Sequence, residues 1–427
     1  MDMIQDNKSN VSEQVLRFVQ LYSSIWWNAN SDFPSFLQET SYLHKKNQEK
    51  ETDKFINQFF NTIKLFPSGE EERMKWKKNM QDILNEFLDK TDLISNKDSD
   101  IIFNGSLIQA TEDFVNESKS FNPNMELEDM GQALRNNWVM NIIQIIFGKT
   151  PKVTPSIFGY SMLYPYTDNY LDDEKISKED KYKIGNSLEK RLSGHYIEPS
   201  NSYEGNIYKL VNRIEEQYDH KTHPEVFESI ICIHNAQMKS LKQQGKLCGP
   251  YEKDILGMSI EKGGTSVLAD AYLVNGTLAE KEASFFFGYG FLLQICDDLQ
   301  DGKKDFEECH MTIISQMYGK WHLDYITNKL FNYIYEFINN ADFFKYKNAD
   351  DLKSLIFKNC IQLILFSTVN NRKMYSREYF NTIKKYFPYT VPYMRKIYSK
   401  VKKKYSSLNE SYNGVDVEQI LLYALKK

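Results

Sequence analysis

The residues of this chain best placed to do chemistry are two sets of aspartates at helical spacing. The first lies in Phe285 to Asp305, FFFGYGFLLQICDDLQDGKKD, where an apolar stretch runs into acid. At about 100° per residue, Gly290, Gln294, Asp298, Asp301 and Asp305 share a helical stripe about 80° wide, with Asp297 beside it. Carboxylates so close repel one another, and burying one unpaired charge costs several kcal/mol, so solvent or divalent cations must offset them. Oxygen donors with no His or Cys among them suit Mg²⁺, which takes one or two carboxylates and completes its shell with water and substrate phosphate.

The second set is in YPYTDNYLDDEK, where Asp168 and Asp172 stand four residues apart and therefore on one helix face, with Asp173 alongside. Pro165 is expected to kink or start that helix one turn before Asp168. Either set alone reads equally well as a helix end entering solvent. Together, with room for three or four helices between them, they can face each other across a bundle. Opposed carboxylates holding Mg²⁺ match a substrate whose charge sits in a diphosphate, because the metals neutralise that charge as it leaves.

Cations should complete such a cage. Lys262 lies one helix upstream of the acidic helix, and the adjacent Gly263 and Gly264 would allow close backbone approach. Arg135 and Arg191 are further candidates because a guanidinium fork suits phosphate. Each cation, taken singly, fits a surface ion pair as well as a phosphate ligand. Gln237 and Gln294 are the polar candidates. Departure of diphosphate from an allylic carbon leaves a cation, which desolvated aromatic faces stabilise by roughly 0.5 to 2 kcal/mol each. Phe158, Tyr160, Tyr164, Phe287 and Phe291 are near the acids in sequence, although most aromatics at helical spacing are ordinary core.

The elements that must position these residues are helices. Gly 19 and Pro 11 in 427 residues fall well below usual usage, which argues against many short strands. Helical periodicity recurs from Val11 to Leu425 with no convincing strand alternation, so an all-α bundle is expected. Residues 1–98 read as an extra N-terminal helical segment of unknown role, and 99–427 as one large helical domain. Pro123, Pro151, Pro155, Pro199 and Pro224 fall near expected helix starts. A net charge of −5 with interspersed signs argues against a nucleic-acid surface. The basic run Lys396 to Lys404 reads as a solvated helix face. Five cysteines (Cys232, Cys248, Cys296, Cys309 and Cys360) without CxxC spacing fit a reducing compartment. The longest apolar run, Ala283 to Cys296, is too short to span a bilayer, so a cytoplasmic protein without a transmembrane segment is expected.

On these motifs the chain resembles the class I isoprenoid synthases over roughly residues 125–400. The second aspartate motif of prenyl diphosphate synthases, GxxFQxxDDxxD, is matched by Gly290, Leu293, Gln294, Asp297, Asp298 and Asp301, with Leu in place of Phe. The upstream lysine of that family is similar to Lys262, and its GQ motif to Ala236 and Gln237. A squalene and phytoene synthase register also fits, with Gln294 followed by Asp301 and Asp305, and with Asp168 and Asp172 as the first DxxxD. The mixture resembles the atypical bacterial terpene synthases. The basic segments that bind a second diphosphate in elongating enzymes do not recur: EKISKEDKYK follows the first motif and CHMTIISQ, around His310, follows the second.

The resemblance implies a single α-helical bundle of the terpenoid synthase type and a carbon–oxygen lyase acting on an allylic prenyl diphosphate. It implies three Mg²⁺ ions held by Asp168 and Asp172 on one wall and by Asp297, Asp298, Asp301 and Asp305 on the other. Asp168, Asp172, Asp298 and Asp301 are then the catalytic acids, while Arg135, Arg191, Lys262, Gln237 and Gln294 bind diphosphate. A homodimer is the expected assembly where one forms. The rival readings are a prenyltransferase, elongating or head-to-head, and a catalytically silent helical scaffold.

Overall fold

The structure is a computed structural model that describes residues 10–103, 105–173, 175–244 and 253–425, apart from the side chains of Asn96, Leu127 and Asp172. The described residues are overwhelmingly helical. The chain opens with α1 (Val11–Asn28), α2 (Tyr42–Ile63), α3 (Glu70–Lys90), α4 (Asn96–Ile102) and α5 (Gly105–Phe121). The site-bearing part follows in α6 (Leu127–Ile146), α7 (Pro155–Asp172), α8 (Lys178–Leu192), α9 (Ser202–Glu215), α10 (Pro224–Ser240), α11 (Ile255–Asn275) and α12 (Glu280–Glu307). The chain ends with α13 (Asp324–Asn339), α14 (Ala349–Asn370), α15 (Arg377–Ile383), α16 (Val391–Tyr405), the hairpin β1 (Ser411–Tyr412) and β2 (Val415–Asp416), and α17 (Val417–Leu425).

Local sequence sets the helix starts. Asn10, Ser41, Thr154, Ser177, Asn201 and Asp254 each accept a backbone N–H of the first turn with the side chain. Pro155 and Pro224 occupy first-turn positions, where no donor is needed. Pro165, in contrast, lies inside α7, so the helix starts ten residues before it and continues through it to the acids.

The centre of the bundle is the antiparallel pair α11 and α12. Helix α11 is apolar nearly all round and buried along most of its length, as a core helix must be. Glycines let it lie very close to α12. A Cβ on Gly290 would fall 2.0 Å from the Gly263 carbonyl oxygen, one on Gly263 would fall 2.5 Å from Gln294 Cβ, and one on Gly264 would meet the Phe287 ring at 2.5 Å. The close approach expected of Gly263 and Gly264 is therefore present. Helix α1 docks on the other face of α12, where the Tyr22 ring lies against Gly288 and its hydroxyl donates to the Ser284 carbonyl at 2.6 Å.

The first hundred residues are not one body, and the boundary expected at residue 98 falls inside α4. Val11, Phe18, Tyr22 and Trp26 of α1 belong to the main core. Helices α2 and α3 instead build a smaller second core with α17, through Ile56, Phe60, Trp76, Met80 and Ile420. The all-α reading holds, with one short hairpin beside the helices. It turns at Asn413 and Gly414, both with positive φ, the Asn-Gly pairing that two-residue hairpin turns demand. Helix α14 is long and apolar enough to cross a membrane by length and composition, and 56% of its most apolar window is buried within the fold.

Asp98 ties α4 to α14. It completes a capping box with Ser95 and accepts from Lys358 Nζ at 2.9 Å. Burial would raise its carboxyl, but the hydrogen bonds from Ser95 and Lys358 outweigh burial and hold it below its ordinary value. Such a group contributes stability above the ordinary carboxylate range, and the contribution is lost as pH falls through the depressed folded value. Asp98→Ala is expected to cost roughly 1–3 kcal/mol at pH 7. Denaturant melts at pH 7 and in acid check this, since the gap between variant and wild type should close as pH falls.

Candidate functional site

Helices α7 and α12 carry the two acidic sets, and four helices separate them in the chain. The sets meet across α11. Lys262 Nζ lies 3.6 Å from Asp168 Oδ1, with both side chains largely buried. Gln237 of α10 donates to the same Asp168 oxygen at 3.3 Å. On α12, Gln294 donates to Asp298 Oδ1 at 2.9 Å, and the Ser259 hydroxyl donates to Oδ2 at 3.4 Å. The glycine seam sets this geometry, because a Cβ on Gly263, next to Lys262, would fall 2.5 Å from Gln294 Cβ.

The electrostatics bear the marks of acids held together. Asp298 is buried at 3% exposure and its carboxyl is pushed up to about 7, first by desolvation and then by Asp297, against the pull of Gln294 and Lys262. Asp305 is pushed up to about 8 by desolvation and by Asp298, Asp301 and Asp297. Asp297 has solvent access yet stands walled in by its neighbours. Desolvation and Asp301 raise its carboxyl, while Lys262 and Arg135 oppose them and Asp168 adds to the rise. Asp297 of α12 thus feels Asp168 of α7, Lys262 of α11 and Arg135 of α6 at once. The acids also occupy the C-terminal parts of their helices, where the macrodipole disfavours negative charge.

This donor set fits a hard cation. Among the described residues no three acidic, histidine or cysteine side chains converge as a ready-made metal cage. A hydrated Mg²⁺ that takes one or two carboxylates and fills its shell with water and phosphate needs no such cage. Asp168, Asp297, Asp298, Asp301 and Asp305 are the residues that would hold it. Asp172 ends α7, and its side chain is outside the described ones, as is Cys248.

Several expected members stand elsewhere. Arg191 is committed to Glu215 and Asn212 on α9, so its fork is occupied away from the acids. Three of the five aromatics are core rather than cleft wall. Phe158 packs on Phe114 and Phe121, Phe287 on Phe18 and Tyr22, and Phe291 on Trp26 and Tyr333. Helix phase explains this, since these rings point from α7 and α12 toward α5, α1 and α13. Tyr160 and Tyr164 do line a small cavity between α7, α8 and α10, together with Leu188, Ile233 and Gln237. That cavity measures about 20 Å³, room for one water, so a prenyl chain could enter only as side chains moved.

The structure also adds residues. His310, just past α12, has its imidazole lowered to about 4 by burial and by Lys262, with Asp168 opposing. It is therefore neutral at pH 7. Cys309, with φ 57°, makes the turn that lays His310 back along Gln244. Asp270, deeper in α11, is 1% exposed, accepts from Asn136 at 3.3 Å and has no partner for Oδ2. Desolvation pushes its carboxyl well above the ordinary range, and Tyr160 lies within electrostatic reach of both Asp270 and Asp168. Neither residue carries a spacing signal, because each is brought in by tertiary packing. Comparison with protein-family models, curated proteins and solved structures finds no match.

Proposed function

We propose that the chain is a class I terpene synthase, which ionises an allylic prenyl diphosphate in a Mg²⁺-dependent reaction and channels the cation to a cyclised or rearranged product. The observation that carries this reading is the meeting of Asp168 with Asp297 and Asp298 across Lys262. Surface acids that merely end two helices would have no reason to converge on a shared, largely buried lysine. The metal, when bound, would supply charge neutralisation on the departing diphosphate.

The chain's own residues supply the rest. Gln237 and Gln294 hold the Asp168 and Asp298 carboxylates in place through their amides. Lys262 and Arg135 would bind diphosphate oxygens. Tyr160 and Tyr164 would face the hydrocarbon from the α7 wall, with Leu188 and Ile233 excluding water opposite.

Product analysis by gas chromatography and mass spectrometry, after incubation with geranyl, farnesyl and geranylgeranyl diphosphate in Mg²⁺, tests the reading. A hydrocarbon or alcohol from a single prenyl diphosphate is the expected result. A longer diphosphate formed only with added isopentenyl diphosphate would replace cyclisation by elongation, and a dimeric C30 or C40 product would point to head-to-head joining. No metal-dependent turnover of any substrate would leave a helical scaffold.

A further inference from the structure

The basic run of α16, which the acidic cleft does not use, belongs to a larger charged surface. Helix α16 carries Arg395, Lys396, Lys400, Lys402, Lys403 and Lys404 and not one acid. At about 100° per residue, Arg395, Lys396, Lys402 and Lys403 fall within about 120° of one another, and all four are exposed. Met394 holds the inner face of the helix in the core.

Helix α2 extends the basic face. It lies beside α16 and runs in the same direction, because three contacts join the two in step. The Thr390 backbone N–H donates to Glu49 at 2.9 Å, the Tyr393 hydroxyl donates to Asp53 at 2.6 Å, and Lys64, at the end of α2, donates to Ser407 at 3.4 Å. Lys50, Asp53 and Lys64 lie within about 60° on α2, so the exposed Lys50 and Lys64 flank the seam with α16.

The acids of α2 do not cancel these charges. Glu49 is buried and paired with Lys46, Asp53 is paired with Lys400 at 2.5 Å, and Glu51 lies near Lys90 of α3. Lys50, Lys64, Arg395, Lys396, Lys402 and Lys403 make no ion pair among the described residues. The chain as a whole carries −5, so a concentration of unanswered cations on one face would turn that face toward an anionic partner.

Apolar side chains stand among the cations. Tyr398 is 76% exposed, and Leu65, next to Lys64, is 73% exposed. Lysines interspersed with exposed aromatic and aliphatic chains match the surface of an anionic bilayer, where headgroups answer the ammoniums and apolar chains enter the acyl boundary. A nucleic-acid backbone would answer the charges alone and leave Leu65 in water.

We propose that the α2–α16 face docks the protein on an anionic lipid bilayer, through Lys50, Lys64, Arg395, Lys396, Lys402 and Lys403, with Tyr398 and Leu65 entering the interface. The docking needs neither the acidic cleft nor its reaction.

Sedimentation of the whole protein with vesicles of phosphatidylcholine, alone or with about one-third phosphatidylserine, tests the surface. Binding to the anionic vesicles is expected, weakened at least about ten-fold in Lys396→Gln/Lys402→Gln/Lys403→Gln, since each lysine near an anionic surface contributes roughly five-fold. Lys183→Gln/Lys190→Gln/Lys209→Gln removes the same charge from exposed positions on α8 and α9 and should change binding by less than about two-fold, because distant surface charges are screened. Leu65→Ser/Tyr398→Ser leaves the charge intact and should weaken binding by about three-fold or more. No binding to anionic vesicles, equal binding to neutral ones, equal loss in the two triple variants, or unchanged binding of the serine variant would overturn the docking. Retention on double-stranded DNA without vesicle binding would overturn it too, and assign the face to nucleic acid.

Discussion

Asp298→Asn and Asp168→Asn each lower Mg²⁺-dependent diphosphate release from an allylic substrate by roughly 10³-fold or more, while the protein stays folded. The size of the effect follows from position. Asp298 is buried and held at both oxygens, and Asp168 receives Lys262 and Gln237 on a single oxygen. Neither carboxylate can be replaced by a neighbour, since the helix axes fix where each points. Asparagine keeps the volume and removes the charge, so lost release reports lost electrostatics rather than a cavity. Stability should move the other way in the metal-free protein. Asp298 sits among like charges and is poorly hydrated, and neutralising it relieves that repulsion, the usual opposition between function and stability at a site. Thermal melts in EDTA alongside a diphosphate-release assay separate the two effects. Release at the wild-type rate from both variants would remove the acids from the chemistry.

The contrast with Lys262 sharpens that argument. Lys262 both touches Asp168 and is felt by Asp297, Asp298 and His310. Its position was legible in the sequence for a physical reason. A lysine beside two glycines, one helix upstream of an acidic stripe, can only reach that stripe if the helices pack closely, and glycines permit close packing. Gln294 was legible from its place on the acidic stripe, whereas Gln237 entered only through the resemblance of Ala236 and Gln237 to a family motif. Periodicity fixes direction within a helix. It does not fix which neighbour stands in that direction, and this is where the aromatics went astray: Phe158, Phe287 and Phe291 point to α5, α1 and α13, which sequence spacing cannot place. Arg191 failed likewise, because Glu215 on the neighbouring helix claims its fork. His310 and Asp270 had no periodic pattern to betray them. The Asn413-Gly414 turn did carry a local signal, but a two-residue strand on either side is too short for alternation to show.

The α11–α12 seam supplies the second large expected effect, because a single methyl group tests whether the cleft depends on it. In an ordinary exposed helix Gly→Ala stabilises by about 0.5–1 kcal/mol, since alanine loses less backbone entropy. Gly131 in α6 is such a site: nothing lies within 4 Å of where its Cβ would stand. Gly290→Ala is expected to reverse the sign and destabilise by roughly 1–3 kcal/mol, because its Cβ would fall 2.0 Å from the Gly263 carbonyl oxygen. Backbone cannot rotate away as a side chain can, so the helices must part. Parting them draws Lys262 away from Gln294 and Asp298, and diphosphate release should fall even at temperatures where the variant is fully folded. Denaturant melts of Gly131→Ala and Gly290→Ala, with release measured well below both transitions, make the comparison internal to one protein. If Gly290→Ala melted as high as Gly131→Ala and kept its activity, the seam would not be what brings Lys262 to the acids.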